Sequence, residues 1–99
     1  MEGTNEAPEI LRFGPVSVRP GEEFNKQANG DSVMWFKVRN VNNNLTVKID
    51  DTVINSFSGG DLITASIPRK YYITPGEHKI YLVDSITGMA SNVVIFTIK

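Results

Sequence analysis

Apolar and polar residues alternate with a period of two along most of this chain, which is the pattern of half-buried β-strands. Between residues 32 and 40, for example, Met34, Phe36 and Val38 fall on one face, which we assign to the core. Similar stretches cover residues 10–18, 45–49, 52–54, 62–67, 78–84 and 93–99. No segment keeps a helical period over ten residues, so the pattern predicts about seven short strands and no long helix.

Turn-forming residues separate these stretches. Pro20 and Gly21 suit a type II turn, and the asparagine run at 42–44 suits a loop. The Asp50-Asp51 pair predicts a tight hairpin connection, whereas residues 56–61, which include two glycines, are predicted to be loop. About seven strands in a chain of 99 residues favour a two-layer antiparallel β-sandwich over a barrel. We expect a single domain over residues 8–99, preceded by a flexible polar tail at residues 1–7.

Composition narrows the range of functions. The net charge is −1 at pH 7, so there is no basic field to attract nucleic acid. The chain contains no cysteine, which leaves no disulfide framework and no thiolate metal site. It has no run of about 18 apolar residues and no signal-peptide pattern at its start. We therefore expect neither nucleic-acid binding nor membrane insertion.

A set of motifs spans most of the chain. They are Pro8-Glu9-Ile10, Val16-Ser17-Val18-Arg19-Pro20-Gly21 leading to Phe24, Val47-Lys48-Ile49, Ala65-Ser66-Ile67-Pro68, Pro75-Gly76-Glu77-His78, and Gly88 followed by Ser91-Asn92 and Val94-Ile95-Phe96-Thr97-Ile98. In these motifs the chain resembles IPT/TIG domains, which occur in plexins, some transcription factors and many bacterial surface proteins. Residues 32–40 depart from the family, which often carries Gly-Gly and Gly-x-x-Phe there. The resemblance implies an immunoglobulin-like sandwich that acts as a spacer, a docking surface or a companion to a catalytic domain.

Aromatic residues are the candidates for ligand binding. Flat aromatic faces suit the apolar C–H face of a sugar ring, and a tyrosine can add a hydrogen bond. Trp35, Tyr71 and Tyr72, together with Tyr81, could form such a platform if they converge on the surface. The alternative interpretation is that Trp35 packs in the core or under a loop and that the tyrosines are half-buried strand residues.

Catalytic and metal sites have weaker support. His78 is the only histidine, and its neighbours on a strand point to opposite faces, so we interpret it as an exposed residue at a strand entry. Asp50, Asp51, Asp61 and Asp84 could offer oxygens to Ca²⁺, which needs about six to eight of them. Turn formation explains these aspartates more simply. The sequence predicts no enzymatic activity, no catalytic residue, no metal and no cofactor.

The sequence therefore favours a non-catalytic structural or protein-interaction module, which contacts its partner through end loops or an open sheet edge. We expect it in a bacterial cell-envelope or secreted protein, where its partners are another protein or neighbouring domains of a larger chain. The alternative is an accessory carbohydrate-binding module that stacks Trp35, Tyr71 and Tyr72 on a polysaccharide.

Overall fold

The computed structural model describes residues 6–99, so residues 1–5 of the expected tail lie outside the described residues. The described chain is built from nine strands: β1 (Glu9–Gly14), β2 (Ser17–Val18), β3 (Ser32–Arg39), β4 (Leu45–Ile49), β5 (Thr52–Ile54), β6 (Ser56–Gly59), β7 (Leu62–Ile67), β8 (Gly76–Asp84) and β9 (Val94–Ile98). One turn of 3-10 helix, Arg69–Tyr71, lies between β7 and β8. The strands match the alternating stretches of the sequence, with two more than the predicted seven.

The strands form two sheets that pack face to face. The four-stranded sheet has the order β1-β3-β7-β6, and the five-stranded sheet has the order β2-β9-β8-β4-β5. Neighbouring strands run antiparallel except β2 and β9, which are parallel. The first order is that of strands A, B, E and D of an immunoglobulin domain, and β9-β8-β4 corresponds to its strands G, F and C. The predicted immunoglobulin-like β-sandwich is confirmed.

The chain passes from one sheet to the other within two extended stretches. Residues 10–18, predicted as one interrupted strand, are divided between β1 and β2, with the cis peptide bond Gly14–Pro15 between them. Asn55 separates β5 from β6 in the same way. The prediction that residues 56–61 are loop is wrong for Ser56–Gly59, which pairs with β7 along its whole length. Serine and glycine have low strand propensity, so backbone pairing with β7 overrides the local preference.

Inward side chains of both sheets form the apolar core. The predicted core face of β3 is confirmed, since all three of its apolar residues are buried. Phe24, in the segment before β3, lies edge-on to Tyr72 and Phe96, with ring centroids 5.1 and 5.5 Å apart. These inward residues hold the sheets together. A function must therefore use the outer faces, the sheet edges or the end loops.

Candidate functional site

One side of the sandwich, formed by β1 and β2, is protected against further strand pairing. β1 carries a β-bulge between Ile10 and Arg12, and an ion pair joins Glu9 Oε1 to Arg39 Nη1 at 3.4 Å. β2 has only two residues. Bulges, charges and very short strands are the usual means of blunting a sheet edge. This side is therefore a poor docking surface for another strand.

The opposite side of the sandwich, formed by β5, Asn55 and β6, also has short strands, but residues 52–59 carry no β-bulge and no ion pair. From Thr52 to Gly60 the sequence has no charged residue and no proline. All four residues of β6 are exposed, and the side chains of Val53 and Phe57 are 58% and 75% exposed. We call residues 52–59 the open side. Exposed apolar residues on an edge without charges mark an interaction site or an aggregation hazard.

Backbone groups of β6 point to solvent at every second residue. Ser66 N–H donates to Asn55 O at 3.0 Å, so these two residues form a hydrogen-bonded pair. By the alternation of an antiparallel ladder, Phe57 and Thr64 form the next such pair. Ser56 and Ser58 fall between, and their N–H and C=O groups point away from β7. Within residues 6–99 this sheet has no strand beyond β6, so these groups line its edge.

The outer face next to this edge carries an aromatic row. Phe57 of β6 lies opposite Thr64 of β7, which lies opposite Trp35 of β3. A shallow hollow of about 180 Å³ adjoins Phe57 and is lined by Val33, Asn55, Ser56, Phe57, Thr64 and Ser66. The open side therefore combines unsatisfied strand backbone with an apolar anchor and a small recess, which are the elements of strand recognition.

Trp35 lies half-buried on the outer face of β3. It lies opposite Gly14 of β1, and a Cβ atom added to Gly14 would come within 2.6 Å of the Trp35 Nε1 atom. The indole therefore covers the glycine backbone of the neighbouring strand, which explains why Gly14 is buried at a sheet edge. Trp35 is neither a core residue nor a fully exposed platform.

The three aromatic residues predicted to form a sugar platform lie in different places. Tyr72 is 4% exposed, and its hydroxyl donates to Ser32 Oγ at 3.2 Å inside the core. Tyr71, in the 3-10 turn, lies edge-on to His78 of the five-stranded sheet, with 5.5 Å between ring centroids. Trp35 belongs to the outer face of the other sheet. The structure does not bring the three rings together.

A second groove, of about 350 Å³, lies at one end of the open side. It is lined by Asp31, Thr52, Val53, Ile54, Asn55, Ser66, Ile67, Pro68, Lys70 and Tyr71. The Lys70 Nζ atom lies 5.2 Å from the centre of the Tyr71 ring, so a cation already covers this ring. The groove extends the open side along β5, and Tyr71 is the one predicted binding residue that contributes to it.

Asp50 and Asp51 form the hairpin turn between β4 and β5. Their φ angles are 48° and 69°, as a two-residue type I′ turn requires, so the predicted tight connection is confirmed. Asp50 Oδ2 lies 2.5 Å from His78 Nδ1, and Asp50 Oδ1 accepts the N–H of Lys79 at 3.0 Å. Burial raises the pKa of Asp50, but these hydrogen bonds outweigh it and leave the pKa lowered. Tyr81 O–H donates to Asp51 at 2.7 Å, which raises the pKa of Tyr81.

The four aspartates considered for Ca²⁺ lie apart. Asp50 and Asp51 lie beside the first half of β8, whereas Asp84 ends that strand. Asp61 lies in the turn between β6 and β7 of the other sheet, where it pairs with Lys37, and its pKa is lowered by that hydrogen bond and charge. Among residues 6–99 no three His, Cys, Asp or Glu side chains are grouped so that they could hold a metal ion. His78 is less exposed than expected, because Asp50 and Tyr71 cover it.

Asp84 organises the turn that follows β8. Its Oδ1 accepts the N–H groups of Ile86 and Thr87 at 2.8 and 3.0 Å, and its Oδ2 accepts a hydrogen bond from Asn42 Nδ2 at 2.9 Å. The backbone hydrogen bonds from Thr87 and Ile86 hold the pKa of Asp84 below its ordinary value, against the opposing effect of burial. This aspartate thus serves the fold.

The stabilisation from Asp84 should disappear in acid. Its folded pKa lies below the unfolded value of about 3.9, so the carboxylate stabilises the fold above that pH. The stabilisation is lost as the pH falls through the folded pKa. We expect wild-type protein to lose more unfolding free energy than the D84N variant between about pH 5 and about pH 3 in urea titrations. Equal losses would contradict this role of the carboxylate.

Sequence reasoning missed Phe57. Residues 56–61 looked like a loop because serine and glycine surround this one aromatic residue. The signal that could have revealed it is the absence of any charge between Thr52 and Gly60, which is unusual for an exposed segment.

The fold and its edges define the class of this protein, which is an immunoglobulin-like β-sandwich with one open side. No protein-family model matches the chain, and no curated protein matches it either. The likeness to IPT/TIG domains therefore rests on sequence motifs alone. The part of the chain that the structure describes contains no helix long and apolar enough to cross a membrane.

Proposed function

We propose that this protein is a non-catalytic interaction module that docks a protein partner along its open side. The observation that carries the proposal is the contrast between the two sides of the sandwich. β1 and β2 carry a bulge, an ion pair and a two-residue strand, whereas residues 52–59 carry no charge and expose Phe57. Natural proteins normally protect their edge strands against pairing with other chains, so an unprotected edge indicates a binding surface.

Strand addition is the binding mode that suits this side. An extended segment that pairs with β6 hydrogen-bonds to the backbone of Ser56 and Ser58, which supplies affinity. Its side chains on the outer face contact Phe57 and the adjoining hollow, which supplies specificity. Phe57 is then the aromatic anchor, since aromatic residues near the centre of an interface carry much of the binding energy.

The resemblance to IPT/TIG domains supports the proposal that this module is part of a bacterial cell-envelope or secreted protein. Its partner would then be a neighbouring domain of the same chain or a separate protein. The module would present the open side to the partner as a rigid surface, because the two packed sheets hold β5 and β6 in place.

Substitution of Phe57 tests the proposal. Linear peptides are selected from a phage-displayed library on wild-type protein, synthesised, and measured by fluorescence anisotropy. We expect the F57K variant to bind the selected peptides about tenfold or more weakly, because an aromatic anchor is lost and a charge is placed on the edge. I86K is the matched control, since Ile86 is equally exposed, at 75%, but lies in the loop after β8. This control should bind like wild type.

A second variant separates backbone pairing from side-chain contact. Ser58→Pro removes the N–H group that points out of the edge, and proline is tolerated at such a position. It should weaken peptide binding as F57K does, while circular dichroism shows the fold unchanged. Failure to select any peptide, or equal binding by F57K, S58P and I86K, would contradict docking on the open side.

Carbohydrate binding is the second candidate, and the row of Trp35, Thr64 and Phe57 on one outer face favours it. Two aromatic side chains on alternate strands of one sheet could stack on successive sugar rings. Titration of Trp35 fluorescence with a panel of soluble polysaccharides tests it. A saturable shift with one polysaccharide would support this function, and an unchanged emission maximum with all of them would contradict it.

A further inference from the structure

We propose that the partner of the open side is a second copy of this chain, and that β6 pairs with β6 across a two-fold axis. The proposal rests on the proposed function, because it needs the edge to be a docking surface. This pairing of two β6 strands joins the four-stranded sheets of the two copies into one continuous eight-stranded sheet. A two-fold contact of this kind uses the same surface on both copies.

The geometry of the edge selects one register. Only Ser56 and Ser58 of β6 direct their backbone groups outward, as the pairing with β7 dictates. Each copy has four outward backbone groups, the N–H and C=O of these two serines. All of them form hydrogen bonds in an antiparallel pair when Ser56 faces Ser58 of the other copy. A shift of the partner strand by one residue would place Ser56 or Ser58 opposite Phe57, whose backbone groups face β7, and a shift by two would leave one of the two serines without a partner in β6. The preferred register therefore places its axis at Phe57.

This register brings the two Phe57 side chains together. Residues at the axis form a non-hydrogen-bonded pair, in which Cα atoms are about 4.5 Å apart and side chains are closest. Both rings then lie on the same outer face of the joined sheet. Aromatic cross-strand pairs stabilise a sheet relative to alanine pairs. The pairing also covers the apolar side chain that is most exposed on this sheet.

The charges permit two copies to approach. No charged residue lies between Thr52 and Gly60, so no like charges meet in a symmetric pair of β6 strands. The nearest charge along the chain, Asp61, is already paired with Lys37. The net charge of −1 adds little long-range repulsion. A segment of serine, phenylalanine and glycine is thus compatible with itself, whereas a charged partner strand would gain no ion pair here.

Sedimentation velocity of wild-type protein, from about 1 µM to about 1 mM, tests the proposal. We expect a monomer–dimer equilibrium, which F57K and S58P shift to monomer at all concentrations. I86K should dimerise like wild type. Hydrogen exchange locates the contact: the amides of Ser56 and Ser58 should gain protection as concentration rises. The amide of Phe57 faces β7 and should be protected in both states.

Each result distinguishes this proposal from the one on which it rests. A wild-type monomer at every concentration would overturn self-pairing, while selected peptides that F57K fails to bind would still support docking on the open side. A dimer that F57K does not weaken would place the contact elsewhere and overturn self-pairing. A dimer sensitive to F57K, but without protection of Ser56 and Ser58, would show face-to-face packing and overturn the strand register.

Discussion

Truncation of Phe96 to alanine should cost about 3–5 kcal/mol of unfolding free energy, the usual range for a buried phenylalanine. Phe96 is fully buried on β9 and contacts the ring of Phe24 edge-on. Its loss removes apolar contacts and leaves a cavity between two sheets that cannot close around it without moving. Against a typical stability of about 5–15 kcal/mol, this change brings a domain of this size close to unfolding.

Urea denaturation followed by Trp35 fluorescence measures the loss. Ile95 is the matched control, because it precedes Phe96 on β9 but points outward and is 37% exposed. I95A should cost about 1 kcal/mol or less, as substitutions of partly exposed residues usually do. If both variants lost the same free energy, the assignment of inner and outer faces in β9 would be wrong.

Replacement of Ser32 by alanine should cost about 1–3 kcal/mol, the largest effect that we expect from a polar residue. Ser32 is 1% exposed, and its Oγ accepts hydrogen bonds from the N–H of Phe24 and from the hydroxyl of Tyr72, both at 3.2 Å. Alanine leaves both donors buried and without an acceptor. The penalty comes from these orphaned groups more than from the bond energies themselves.

A double-mutant cycle separates the two bonds. Y72F removes one donor but leaves Ser32 bonded to Phe24, so it should cost about 1 kcal/mol. The combination of S32A with Y72F should cost less than the sum, because the tyrosine hydroxyl that S32A orphans is then absent. Strict additivity would show that Tyr72 and Ser32 do not interact. Ser56→Ala, at an exposed serine of β6, is the control and should be close to neutral.

The burial of Tyr72 also bears on function. A residue predicted to stack on sugar instead joins the core with Phe24, and its hydroxyl satisfies a buried serine. Trp35 and Phe57, on the outer face of the four-stranded sheet, lie in one row beside the open side. We therefore propose that stability and recognition depend on different aromatic residues, and we expect changes at Phe57 to leave the fold intact.

Much of the fold followed from the chain's own pattern. Alternation in β3 predicted which residues face inward, because the period of a strand does not depend on its partner. The Asp50-Asp51 turn was equally predictable, since a two-residue hairpin needs residues that tolerate positive φ. Turn spacing and short strands led to a two-layer sandwich, and the resemblance to IPT/TIG domains led to the immunoglobulin-like arrangement.

The tertiary structure decided where the proposed docking surface lies. Residues 56–59 become a strand only because they pair with the edge of β7. The local preferences of serine and glycine do not predict a strand there. The burial of Tyr72 depends on Ser32 and Phe24, which are 40 and 48 residues away along the chain. The sequence by itself determined the alternating strands other than β6, the inner face of β3 and the absence of charge from Thr52 to Gly60. The pairing of distant strands decided that this uncharged segment is an exposed edge, because an edge exists only once a sheet has formed.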